Sequence, residues 1–200
     1  MSTLNPAAGS AGLSPGFADP VAQAQACFRA VLDAMARPGR VHTITGVAPP
    51  APLDAATAAV LLTLVDHETP LWLDAALRET APWLAFHCGA PVVTDPRAAA
   101  FAAARGLPDL DRFDAGTHEM PETAATIVVQ VQALGVGPRF RLSGPGLREP
   151  AGFAVTGLPA DFSARWAANH RLFPCGIDLI LCAGDRLAAL PRSVTIEEDG

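Results

Sequence analysis

The sequence predicts an α/β protein, a three-layer α/β/α sandwich built on a mixed sheet. Three observations carry this reading. Segments with helical apolar spacing alternate with short β-branched runs, two hairpin signals interrupt the alternation, and half of the 200 residues are apolar while only 17% are charged. Alternation calls for crossovers that lay helices on a largely parallel sheet, whereas hairpins add antiparallel strands. A chain of this length buries roughly 70% of the surface it exposes when unfolded, enough for one core. One domain is expected over residues 17–200. Residues 1–16, rich in Ala, Gly, Ser and Pro with little to bury, read as a disordered leader.

The first helix opens at Asp19-Pro20, a capping residue followed by a proline in the first turn. Val21, Cys27, Phe28, Val31, Leu32 and Met35 then recur with helical spacing until Pro38-Gly39. Val41 to Thr45 alternates as a half-buried strand. After a Pro-rich link, Asp54 is placed to cap a helix from Ala55 to about Val65 that is apolar nearly all round and therefore covered on more than one side. A strand at Pro70–Leu73, a helix at Leu77–His87 and a strand at Pro91–Thr94 continue the alternation. The alanines of 95–105 favour a helix, yet the segment is short and has few large apolar side chains to hold one. A short helix is expected at Leu110–Phe113. Thr123 to Ala133 reads as a long β-branched strand pairing with Phe140–Leu142 across a turn at Gly135–Pro138. Phe153–Thr156 suggests a further strand, and Asp161 a cap for a helix reaching about Asn169. Ile177–Cys182 and Arg186–Leu190 form a second hairpin across Ala183-Gly184-Asp185.

Composition excludes several functions. The net charge is −6 and basic residues are scattered singly, which argues against a nucleic-acid surface, where clustered positive charge must meet the phosphates. Four scattered cysteines lack the density of a secreted disulfide scaffold and suit reduced thiols in the cytoplasm. Neither a signal-peptide pattern nor an apolar run of roughly 18 residues is present, so a soluble, unexported protein is expected, without a membrane partner. All 14 basic residues are arginine. Without lysine the chain forms no Schiff base with pyridoxal phosphate and no Walker-type P-loop, so no cofactor is expected.

The chemistry-bearing residues are spread thinly. Four Cys and five His include neither C-x₂-C nor H-x₃-H, so no metal site is expected. Leu142-Ser143-Gly144-Pro145-Gly146 lacks the leading glycine of a nucleophile elbow. Ser143, Gly144 and Gly146 are open to two readings: a turn, or a backbone cradle for an anion helped by Arg141 and its neighbours Arg139 and Arg148. Asp66-His67-Glu68 ends an apolar helix, as an acid–base cluster or as an ordinary solvated terminus. Asp178 lies in the apolar run Gly176–Leu181 and needs a cationic partner, Arg192 or Arg171, for structure or for orienting a ligand. An Arg-lined anion site of this kind would serve a nucleotide-handling or phosphotransfer enzyme.

Several segments, taken together and in order, resemble one family. They are Phe28 to Met35 followed by Pro38-Gly39; Leu61 to Asp66 followed by Thr69 to Leu73; Phe86-His87 before Ala90-Pro91; and Phe173-Pro174 with Gly176 to Leu181, Gly184 to Leu187 and Leu190 to Arg192. They are similar to the H subunit of the bacterial carbon–phosphorus lyase core complex. That resemblance implies a homodimer when isolated and a core complex with G, I and J subunits. The complex attaches methylphosphonate to C1 of ribose 5-triphosphate, displacing adenine from ATP, before a separate radical step cleaves the carbon–phosphorus bond. It also implies a sandwich related to pyridoxal-phosphate transferases but without the cofactor, an accessory role with no assigned catalytic residue, and a strand at Ala98–Ala104. Cys175 stands where the family commonly has an aliphatic residue, which weakens any nucleophilic role for its thiol.

Overall fold

The computed structural model describes residues 14–199; the leader expected over 1–16 therefore lies outside it up to residue 13. Residues 14–16 run against a helix, where the Ser14 carbonyl accepts a hydrogen bond from Trp83 Nε1 at 2.9 Å. The chain is α/β with a mixed sheet. Its first helix, α1 (Pro20–Ala36), starts as expected, with the Asp19 carboxylate accepting from the Ala22 amide. Its inner face, however, is made of small and branched residues, Cys27, Val31 and Ala34, while Val21, Phe28 and Leu32 stay exposed.

Strand β1 (His42–Thr43) leads to α2 (Ala55–Leu64), then β2 (Leu71–Leu73), a 3-10 turn at Arg78–Thr80, α3 (Ala81–Cys88) and β3 (Val92–Val93). The expected continuous helix from Leu77 is broken because Pro82, in the first turn of α3, brings no amide hydrogen. Residues Ala56 to Leu61 of α2 are wholly buried, between the sheet and its neighbours α1 and α3, which covers the helix on several sides. Strand β4 (Phe101–Arg105) resolves the alanine-rich segment: Pro96–Ala98 is a 3-10 turn and the strand begins only at Phe101. Small side chains suit a central strand between close layers, so burial overrides alanine's helical preference.

Strand β5 (Thr126–Gln130) pairs in parallel with β4 and with β8 (Asp178–Ala183), and β9 (Arg186–Leu190) returns antiparallel to β8. The large sheet runs β1-β9-β8-β5-β4-β2-β3. The expected hairpin joining Thr123–Ala133 to Phe140–Leu142 does not form. Instead β6 (Ala133–Ser143) leaves the large sheet and pairs antiparallel with β7 (Ala151–Thr156) and β10 (Thr195–Glu198), the last an element the sequence did not suggest. Gly135 to Pro138 is an irregularity within β6, between paired Leu134 and Arg139. β5 is buried on both faces and so sits centrally, where parallel neighbours already occupy both its edges.

Alternate residues of the central strands build two cores. Val128 and Ile180 pack with α1, α2 and α3 on one face. Ile127, Val129, Leu179 and Leu181 pack on the other with Phe140, Phe153 and α4 (Phe162–His170). Each fully buried aliphatic side chain contributes about 1.5–3 kcal/mol. Where the sequence suggested a helical third layer, the second face therefore carries a three-stranded sheet together with α4.

Candidate functional site

Asp178 opens β8 and faces Arg192, two residues beyond the end of β9. The carboxylate accepts from the Arg192 backbone amide at 2.7 Å, from Nε at 3.1 Å and from Nη2 at 2.5 Å. The guanidinium also donates Nη1 to the Pro121 carbonyl at 2.7 Å. Only 16% and 14% of the two side chains is exposed. The fork thus uses the guanidinium geometry fully and ties three chain segments together. Arg171, the alternative partner, is exposed.

Ser143 ends β6, and its hydroxyl lies 2.7 Å from that of Thr195 on β10. A Cβ at Gly144 would stand 2.9 Å from the Ser193 carbonyl oxygen, and one at Gly146 would collide with the carbonyl oxygen of Ala36, the last residue of α1. The loop therefore abuts a helix C-terminus, whose partial negative charge has the polarity opposite to that an anion requires. Arg141 is exposed on β6, in register with Glu197. Among the described residues, every hydrogen bond of the Arg192 side chain goes to Asp178 or Pro121, so the structure joins Asp178 to Arg192 and Ser143 to Thr195 but does not direct Arg192 into the 143–146 loop.

The Asp66-His67-Glu68 cluster forms the turn from α2 to β2. Asp66 Oδ1 accepts from the Glu68 amide at 2.9 Å and the Thr69 hydroxyl at 3.1 Å. The Glu68 amide first, then the Thr69 hydroxyl, hold its carboxyl below the usual range. An ionised carboxylate that fixes a turn is thereby explained without acid–base chemistry. Burial pushes the Cys88 thiol up to about 11 and raises those of Cys27 and Cys182. These sulfurs remain protonated near neutrality. Cys175 is buried as well.

A feature that sequence reasoning missed is a cleft of about 740 Å³ at the N-terminal ends of β4, β5 and β8. One wall is formed by Arg165 and Ala168 of α4, flanked by its N-cap Asp161 and by Leu172 two residues past its end, at spacings of three and four residues. The opposite wall is the 109–116 segment, and Phe113 and Ile177 lie beneath. Arg165 bridges the walls, donating to Asp109 at 2.6 Å and Asp161 at 2.9 Å. Asn169 is wholly engaged with the backbone of Ile177, donating at 2.9 Å and accepting at 2.7 Å. The helical spacing along α4 was the only signal in the sequence; its partners are dispersed from Arg97 to Ile177. Ligands of open parallel sheets ordinarily sit at the opposite, C-terminal ends of the strands.

Fold and geometry together define a mixed-sheet α/β protein in which the Asp178–Arg192 pair ties separate backbone segments together. The profile of the bacterial phosphonate metabolism protein family (PhnH) matches residues 15–197, and the chain belongs to that family. It is 45% identical over 192 residues to the alpha-D-ribose 1-methylphosphonate 5-triphosphate synthase subunit PhnH of Rhizobium meliloti (strain 1021), covering 93% of this chain and 96% of that protein. It is 32% identical over 179 residues to HtxG of Stutzerimonas stutzeri, whose name assigns it to a C-P lyase, with 88% and 87% covered.

Proposed function

We propose that the chain is an accessory subunit of a carbon–phosphorus lyase core complex, supporting formation of ribose 1-methylphosphonate 5-triphosphate from ATP and methylphosphonate. The observation that carries this reading is the 45% identity to a synthase subunit along nearly the whole of both chains. The engagement of Asp178, Arg192, Ser143 and Asp66 in structural bonds supports a role in assembly over one in bond-making. The partners on this reading are G, I and J subunits, with a homodimer formed when the chain is isolated and a cytoplasmic location. Among the described residues no helix is long and apolar enough to cross a membrane.

The fold is read as a three-layer sandwich related to pyridoxal-phosphate transferases, on the strength of the two cores flanking one mixed sheet. The cofactor itself does not fit, because a chain without lysine offers no side-chain amine for its aldehyde. Co-expression with the G, I and J subunits, followed by size exclusion with light scattering, tests the proposal. One large particle containing this chain is expected. Elution solely as its own dimer, together with heat released on titrating ATP or methylphosphonate into that dimer, would overturn it in favour of a phosphotransfer enzyme.

A further inference from the structure

We infer that the cleft between α4 and the 109–116 segment is the docking site for a basic segment of a partner protein, which seats an apolar side chain on the floor and an arginine or lysine against Asp111 and Asp114. This rests on the reading of the chain as a complex subunit and names the surface by which it joins.

Charge selects the occupant. Among the described residues that line the cleft, Asp109, Asp111, Asp114 and Asp161 are balanced only by Arg97 and Arg165, an excess of two negative charges. Arg165 is held between Asp109 and Asp161, and Arg97 donates to the Asp111 carbonyl at 3.2 Å. What remains for a newcomer is the Asp111 carboxylate and the Asp114 oxygen not accepting from the Gly116 amide. A phosphate or phosphonate would enter against this field, whereas a guanidinium or ammonium would be drawn to it. The floor supplies the other half of the recognition. Leu110, Phe113 and Ile177 are apolar, Leu172 at the rim is 49% exposed, and the adjoining Phe173 is 56% exposed. An apolar centre with a charged rim is the anatomy of a protein interface, its centre contributing affinity and its rim speed and selectivity.

The test co-expresses the full chain with the other core subunits and compares the parent with Asp111→Arg/Asp114→Arg and, separately, Leu172→Asp. All three positions are exposed, so the variants should fold; circular dichroism and urea midpoints verify this. The parent should assemble and lose affinity as salt rises, and each variant should bind about tenfold or more weakly. Variants that assemble like the parent overturn the docking site while leaving the accessory role standing. Failure of the parent itself to assemble overturns both. Binding of ATP that disappears in Arg97→Ala would make the cleft a nucleotide site and overturn the inference as well.

Discussion

The Asp178–Arg192 pair shows what a buried charge demands of its surroundings. Cutting it to one member strands the other in a poorly solvated place, which costs about 3 kcal/mol or more. Asp178→Ala should therefore lower the urea midpoint strongly, and adding Arg192→Met should recover part of the loss. His42 makes a different prediction. Burial, then Arg40 and Arg37, hold its imidazole below its ordinary value of 6.5, although Asp33 Oδ2 lies 3.1 Å away. Asp33 is already shared with both arginines. Between the lowered folded value and 6.5 the unfolded chain binds more protons, so stability is full above that window and declines as pH falls through it. Urea unfolding at pH 5 and 7 should show a smaller difference for His42→Gln than for the parent. Asp178 and its two candidate partners, Arg192 and Arg171, were legible in the sequence, but the choice between them was not: Arg192, 14 residues away, is brought to Asp178 by the path of β9.

Legibility at the level of elements follows sequence distance. The α1 cap and the β8–β9 hairpin were readable because their signals, Asp19-Pro20 and Gly184-Asp185, act within a few residues. The pairing of β6 was not, since its partners β7 and β10 are chosen by burial of Phe140, Leu142 and Ile196 against the second core. Asp54 likewise precedes α2 as expected, yet its carboxylate caps the distant Gly184 amide at 3.1 Å instead of its own helix. Two glycines separate conformation from contact. Gly146 and Gly106 have φ of +86° and +83°, but only Gly146 has a carbonyl where a Cβ would go; nothing lies within 4 Å of one at Gly106. Gly106→Ala should cost about 1 kcal/mol from backbone conformation alone, and Gly146→Ala distinctly more, as measured by chemical denaturation.

For the molecule as a whole, the central strands serve both cores at once. Neither face can be opened without withdrawing apolar cover from β5 and β8, so unfolding should be a single transition. Urea curves followed by near-ultraviolet and far-ultraviolet circular dichroism should coincide, and separated midpoints would show that the faces come apart independently. The cleft belongs to this scale too: it exists only where α4 meets the starts of three strands, which is why no local motif announced it.

Both rims of the large sheet, β1 and β3, are strands of two residues. So brief a rim presents almost no free backbone ladder on which a neighbour could lay a strand of its own. Crowded copies of the protein are thus denied ribbon-like growth through this sheet, and whatever company the molecule keeps along those rims must be recognised by side chains, where a single substitution can refuse it.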